Sequence, residues 1–410
     1  AKGVSKAYNL LNSEDINSTI KCLKSLGVKI FKKKDYCKII GKGIGEFKYK
    51  KGIVLNAGNS GTLGRLILAL LVKSPTKIKL IGDKSLSKRD FSRVIEPLKK
   101  FGVSFYPKNK KKLPIFIKGT KHLKAIKFTE NKGSAQVKSS VMFAALNVTD
   151  ETTIKAKKSR NHTENLFKYL KIPISIKKYK KEDHIKVSGN KNYKSFNYNV
   201  PGDISSSAFF IVLTILSKNS KILIKNVNIN PTRIGVVRIL KMMGAKIIFK
   251  NIKEYKGEKI ANIYVKSTSP LKAINCPTEF NSSSIDEFLI IFLVAAKANG
   301  TSYFKDLSEL NQKESPRLKI GSRILTMIGV KNKLTNNSIK IYGQPNLRLD
   351  KNYEVKNFLK DHRVFMMSAI AALTLGGNWK IHDQDSINTS FPSFLNIVRK
   401  LGGQVNWKIK

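Results

Sequence analysis

The chain has 410 residues, 41% hydrophobic and 26% charged, a composition that excludes a disordered polymer and favours two or three domains over one core. Its longest apolar run, 288–296, is far short of the ~20 residues a bilayer-spanning helix needs, and its three cysteines, Cys22, Cys37 and Cys276, are too scattered for a disulfide or zinc framework. The net charge is +51, from 78 basic and 27 acidic residues, and the basic residues spread evenly without interleaved aromatic platforms, which argues against a nucleic-acid partner.

Two readings of that charge remain: a solvated lysine-rich surface, or a basic field that gathers small polyanions. The cysteine pattern fits the reducing cytoplasm, and no membrane partner is expected. No charged-then-apolar leader opens the chain, and Ala1 stands in mid-pattern, so further residues are expected upstream.

In chain order, apolar spacing predicts helices over 62–71, 137–146, 206–216, 285–296 and 364–375. β-branched runs predict strands over 78–81, 221–224, 263–265 and 339–342. The 62–71 helix opens from a small-residue loop, Asn59-Ser60-Gly61-Thr62-Leu63-Gly64-Arg65, whose backbone N–H groups suit an anion. Ser134-Ala135-Gln136-Val137-Lys138-Ser139-Ser140 leads into the next helix, with Ser134 as its N-cap. A polar, basic stretch over 177–197 reads as surface hairpins. Beyond it, Asn199-Val200-Pro201-Gly202 marks a break between domains 1–200 and 201–410. In Lys313-Glu314-Ser315-Pro316-Arg317, Ser315 is expected to cap a helix and Pro316 to open it. Lys313, Glu314 and Arg317 then supply a cation, an acid/base and a phosphate fork, or else a solvated charged turn. Asp361-His362-Arg363 precedes the last long helix.

A helix-end pattern, apolar–basic–x–apolar–Gly–apolar, recurs along the chain. Copies run from Leu23 to Val28, Leu98 to Val103, Leu240 to Ala245, Leu325 to Val330 and Val398 to Gly403. In the Leu325 copy Thr326 takes the basic place, and a weaker copy from Phe167 to Ile172 has Lys171 in place of Gly. Gly past a helix end takes the left-handed conformation, and a basic residue in the last turn suits the negative end of the dipole. A β-branched run follows, so each unit is a helix that turns into a strand. Six such α/β units make one barrel or two domains of three.

Taken together and in order, these segments resemble the enolpyruvyl transferases, and within them the 5-enolpyruvylshikimate-3-phosphate synthases. Leu10-Leu11-Asn12-Ser13-Glu14-Asp15 is similar to the family's L-x-S-x-D, and Gly58–Arg65 to its G-N-x-G-T-x-x-R loop. Leu86-Ser87-Lys88-Arg89 resembles L-x-x-R, and Ser134–Ser139 resembles S-x-Q-x-K-S. Ser159-Arg160-Asn161-His162-Thr163-Glu164 is similar to the R-D-H-T-E motif of the class II branch. Pro201-Gly202-Asp203, Asp286-Glu287, Lys313-Glu314, Asp361-His362-Arg363 and Ser390-Phe391-Pro392 complete the series.

The resemblance implies a two-domain inside-out α/β barrel fold, each domain built from three βαβαββ-like repeats, with the site between domains. It implies transfer of an enolpyruvyl group from phosphoenolpyruvate to the 5-hydroxyl of shikimate 3-phosphate, in chorismate and aromatic amino-acid biosynthesis. Asp286, Glu314 and Lys313 would be catalytic. Gly61, Arg89, Gln136, Arg317 and Arg363 would hold phosphoenolpyruvate. Ser134, Gln136, Arg160, Asp286 and Lys313 would hold shikimate 3-phosphate. No metal, no organic cofactor and a monomeric state are implied.

The chain departs from the family pattern in several places. Its P-G-(S/D)-K-S opening segment would lie upstream of Ala1, so little turnover and an unpaired sheet edge in the second domain are expected of this chain. Asp90 stands where Pro is usual, Pro316 where Asp is, and Asn311-Gln312 where Arg-Val is. Asp90 is expected to weaken the anion site beside Arg89. The sister enzyme that acts on UDP-N-acetylglucosamine usually carries a Cys in the loop that here reads Leu86-Ser87-Lys88-Arg89.

Overall fold

The computed structural model describes residues 1–189 and 193–406, so 190–192 of the basic stretch lie outside it. The chain divides into two compact units, Ala1–Val200 and Pro201–Lys410.

In each unit apolar helices form the interior. The helices Ile204–Leu216, Phe288–Ala296 and His362–Leu375 are apolar nearly all round and are buried over most of their length. Gly61–Leu70 and Ala135–Ala145 have the same place in the first unit. Some strands alternate between buried and more exposed residues, as in Ile78–Ile81 and Ile339–Tyr342, so they lay one face inward and one outward.

Among the described residues, the first unit has three four-stranded sheets, each with one parallel pair and otherwise antiparallel strands. The described residues of the second form two three-stranded antiparallel sheets. Its third sheet, among the described residues, is the parallel pair Leu349–Val355 and Gly376–Ile381. The described part of the 177–197 stretch includes the hairpin of Ile174–Lys178 with Glu182–Val187. No helix among the described residues is long and apolar enough to cross a membrane.

The recurring helix ends share one backbone feature. Gly27, Gly102, Gly244, Gly329 and Gly402 have φ of 84°, 100°, 95°, 78° and 90°. Lys171 takes the same turn at φ 55°, without glycine's freedom.

Two sequence expectations need correction. The helix predicted over 285–296 begins at Phe288, because Ile285–Glu287 belong to a turn that places Asp286 and Glu287 beside charged partners. Ser315 does not cap the next helix, Arg317–Met327; Pro316 occupies the cap position with no side-chain bond. The Ser315 hydroxyl is drawn instead to the buried Asp361 carboxylate at 2.8 Å, and Asn311 Oδ1 accepts the Leu318 N–H at 3.1 Å.

Candidate active site

The site residues gather at helix starts in each unit. In the first unit, Ser60 caps Gly61–Leu70, its Oγ accepting the Leu63 N–H at 3.3 Å. Asn59 Nδ2 donates to Asp83 Oδ2 at 2.6 Å, and Asp83 Oδ1 accepts the Leu86 N–H at 2.7 Å. This ties the small-residue loop to the turn that carries Arg89. A Cβ at Gly61 would lie 2.8 Å from one Arg65 nitrogen and 3.0 Å from one of Arg89. The missing side chain therefore lets two guanidinium groups close over a helix start whose first turn has no acidic residue.

Arg65 Nη1 donates to Gln136 Oε1 at 2.9 Å, and Gln136 Nε2 donates to Thr62 Oγ1 at 2.9 Å. Gly61, Arg89 and Gln136 thus stand close together, with Arg65 among them. Ser134 caps Ala135–Ala145, its Oγ accepting the Val137 N–H at 3.3 Å. Arg160 lies just before the helix His162–Tyr169. Asp90 has work of its own: its carboxylate accepts the Ser92 N–H at 2.7 Å and the Ser92 hydroxyl at 2.8 Å. Burial alone would raise its pKa, but these bonds, with Arg93 and Lys111 nearby, hold it below the usual carboxylate range.

In the second unit the charges centre on Arg317, whose side chain is 1% exposed. Its Nε donates to Asp361 Oδ2 at 2.8 Å, and its Nη2 donates to Asp361 Oδ1 at 3.2 Å and to Glu314. Its Nη1 donates to Asp286 Oδ1 at 3.4 Å. Lys313 Nζ lies 3.2 Å from the same Asp286 oxygen. Arg363 Nη1 donates to the Asp286 carbonyl at 3.0 Å and sits 3.8 Å from the buried Glu287 carboxylate. Asp286, Lys313, Glu314, Arg317 and Arg363 therefore form one cluster, and Asp361 anchors it. Asp361 also caps His362–Leu375 by accepting the Arg363 N–H at 3.0 Å.

Burial would raise the Asp361 carboxyl, yet Arg317 outweighs that and holds it below its ordinary pKa. Burial works against the charge of Arg317 as well, and the carboxylates of Asp361 and Glu314 reverse that effect, so the guanidinium stays charged. His362, by contrast, is pushed down to about 4 by burial and by Arg363. It is an uncharged imidazole at neutral pH, so it does not act as an imidazolium acid there.

Arg233 carries a contact that sequence reasoning missed. Its Nη2 donates to Asp203 Oδ1 at 2.8 Å and to Ser205 Oγ at 2.7 Å. Asp203 and Ser205 line a cavity of about 50 Å³ together with His362, Arg363 and Ser390. The visible signal was the Asn230-Pro231-Thr232-Arg233 turn, in which Asn230 Oδ1 accepts the Thr232 N–H at 2.8 Å.

Residues 1–398 match the family described as EPSP synthase (3-phosphoshikimate 1-carboxyvinyltransferase). A 3-phosphoshikimate 1-carboxyvinyltransferase of Ruthia magnifica is 39% identical over 411 aligned residues, covering 99% of this chain and 91% of the relative. One from Streptococcus mutans is 37% identical, covering 98% and 92%. The solved EPSP synthase of Acinetobacter baumannii superposes with a TM-score of 0.84 at 32% identity, over 98% of this chain and 90% of that one. The enolpyruvyl transferase NikO of Streptomyces tendae shares the fold, at a TM-score of 0.73 and 11% identity over 99% and 91% of the two chains. With its match running from the first residue to the last helix, the chain belongs to the EPSP synthase family.

Proposed function

We propose that the chain performs its family's reaction, moving an enolpyruvyl group from phosphoenolpyruvate to the 5-hydroxyl of shikimate 3-phosphate with release of phosphate. The observation that carries this reading is the cluster around Arg317, where a carboxylate, an ammonium and a second carboxylate stand within one hydrogen-bonded network. Addition and elimination at a vinyl phosphate need such groups: an acid for carbon, a base for the attacking hydroxyl and cations for the phosphate.

In the addition step the Asp286 carboxylate takes the 5-hydroxyl proton as the oxygen bonds C2 of phosphoenolpyruvate. A proton passes to the methylene carbon by way of Glu314 and the Lys313 ammonium, and the product is a tetrahedral ketal phosphate. In the elimination step Glu314 takes a proton back from that carbon, the double bond re-forms and the C2–O bond to phosphate breaks. Lys313 supplies charge to the leaving phosphate and relays a proton to it. Arg317, Arg363, Arg89, Gln136 and the Gly61 backbone serve the donor's anionic groups. Ser134, Gln136 and Arg160 take the acceptor, with the Arg160 guanidinium on its phosphate.

The same reading makes the protein a cytoplasmic monomer that works on small anions without a nucleic-acid or membrane partner. Three free, buried cysteines support a reducing compartment. Phosphate release by the full-length gene product tests the function. Release that depends on shikimate 3-phosphate is the expected result. Release only with UDP-N-acetylglucosamine moves the assignment to the sister enzyme, and release with neither acceptor refutes it.

A further inference from the structure

Gln136 is the second residue of the helix Ala135–Ala145, and Arg160 lies two residues before the helix His162–Tyr169. What fixes one helix against the other is buried. Lys138 Nζ lies 2.5 Å from Glu164 Oε1, with side chains 1% and 2% exposed. Beside this pair the Ser139 and Thr163 hydroxyls share a hydrogen bond of 2.7 Å. Lys138 follows Gln136 by two residues, about 200° round the helix, so the pair sits behind the face that presents Gln136. Glu164 follows Arg160 by four. One layer earlier, the Glu130 carboxylate accepts the N–H groups of Lys132 at 3.0 Å and Gly133 at 2.7 Å, fixing the loop that enters Ser134.

Stability does not explain this pair. Two charges in a dry contact lose their hydration, and apolar groups of the same volume stabilise a fold as well or better. The pair is also short of other partners: among the described residues, Lys138 Nζ and Glu164 Oε2 have no hydrogen-bond partner. What an ammonium and a carboxylate give that methyl groups do not is register. Packed apolar helices can slide, whereas a buried ion pair has one low-energy arrangement.

We propose that the Lys138–Glu164 pair is a positioning device for the acceptor: it sets Arg160 against Ser134 and Gln136 at the spacing that a phosphate monoester on a small polyol ring requires. It governs acceptor affinity and leaves the chemical step alone. The inference rests on the functional reading above.

The test is the double variant Lys138→Met with Glu164→Leu, which removes both charges and keeps the volume. Each substrate is varied separately in steady-state kinetics, and melting is followed in parallel. The expected result is a KM for shikimate 3-phosphate raised about tenfold, the scale of a small misplacement of a binding group, with kcat and the phosphoenolpyruvate KM within about twofold. The melting temperature should hold or rise. A folded double variant with the wild-type acceptor KM overturns the proposal, as does a loss confined to kcat. Thr163→Val, which cannot strand a charge, gives a second reading if the double variant does not fold. It should raise the acceptor KM about threefold through the same misplacement, and an unchanged KM overturns the proposal. A wild-type protein with no turnover on shikimate 3-phosphate overturns the functional reading and this inference together. An active wild type beside an unaffected variant overturns only the inference.

Discussion

Burying a guanidinium is tolerable only where carboxylates meet it, and Arg317 is met by three. They are not equivalent. Asp361 is fully buried and accepts two bonds from the guanidinium, at 2.8 and 3.2 Å, whereas the Asp286 side chain is 13% exposed and its contact is 3.4 Å. Asp361→Asn leaves part of a buried charge uncompensated and should cost about 3–5 kcal/mol in a denaturant titration. Asp286→Asn should cost less than about 1 kcal/mol, as for a partly solvated pair, while abolishing turnover. Equal stability losses in the two variants would contradict this division. His362 makes a separate prediction. Its pKa falls from its ordinary value of 6.5 to about 4 on folding, so between these values the unfolded chain binds more protons. Its contribution is fully present above about pH 6.5 and is lost as pH falls toward 4, by roughly 3 kcal/mol. Melting temperatures across that window should fall more steeply for wild type than for His362→Gln, and parallel curves would show that the imidazole does not titrate there.

Among the elements, the helix ends show what a sequence states openly. Glycine at a left-handed turn is a local demand, so the five glycines of the recurring pattern were legible, and Lys171 showed where the demand is met at a cost. Lys171→Gly should relieve about 1 kcal/mol, read as a higher denaturation midpoint at unchanged slope. A lower midpoint would mean that the lysine side chain contributes more than the backbone strain costs. The site residues were legible for a different reason: they arrived as short polar motifs ahead of apolar helices, in an order that resembles one family. What stayed hidden depends on distant residues. Nothing near Ser315 says that its hydroxyl will serve Asp361, 46 residues on, in place of its own helix. Lys138 and Glu164 sit in the same motifs as Gln136 and Arg160, yet only the packing shows that they face inward and meet. A helix start such as Phe288 could not be placed from apolar spacing, since Ile285 fits the period and the turn that displaces it is set by charges elsewhere.

For the molecule as a whole, charge is the property that the fold does not explain. With +51 on 410 residues, like charges meet even inside the sheets: Lys221 and Lys246 both stand directly across from Lys266. Such pairs repel, so the folded state bears a self-repulsion that salt should relieve. The same field draws small anions toward any site and speeds their capture, and salt should weaken that. The two effects have opposite signs on different observables. As sodium chloride is raised from about 0.02 M to about 0.3 M, the Debye length shrinks from about 20 Å to about 6 Å. The melting temperature should rise over that range while kcat/KM for both anionic substrates falls, with kcat nearly constant. A melting temperature that rises while kcat/KM stays flat would mean that the lysines are only a solvated surface and that capture depends on the local arginines. A fall in both would mean that the charge is balanced by specific pairs that salt breaks, although the pairs outside the buried clusters, such as Lys360 with Asp385, are exposed and too few to balance it. The ratio of the two slopes therefore measures how much of the basic surface serves the substrates and how much the fold merely tolerates.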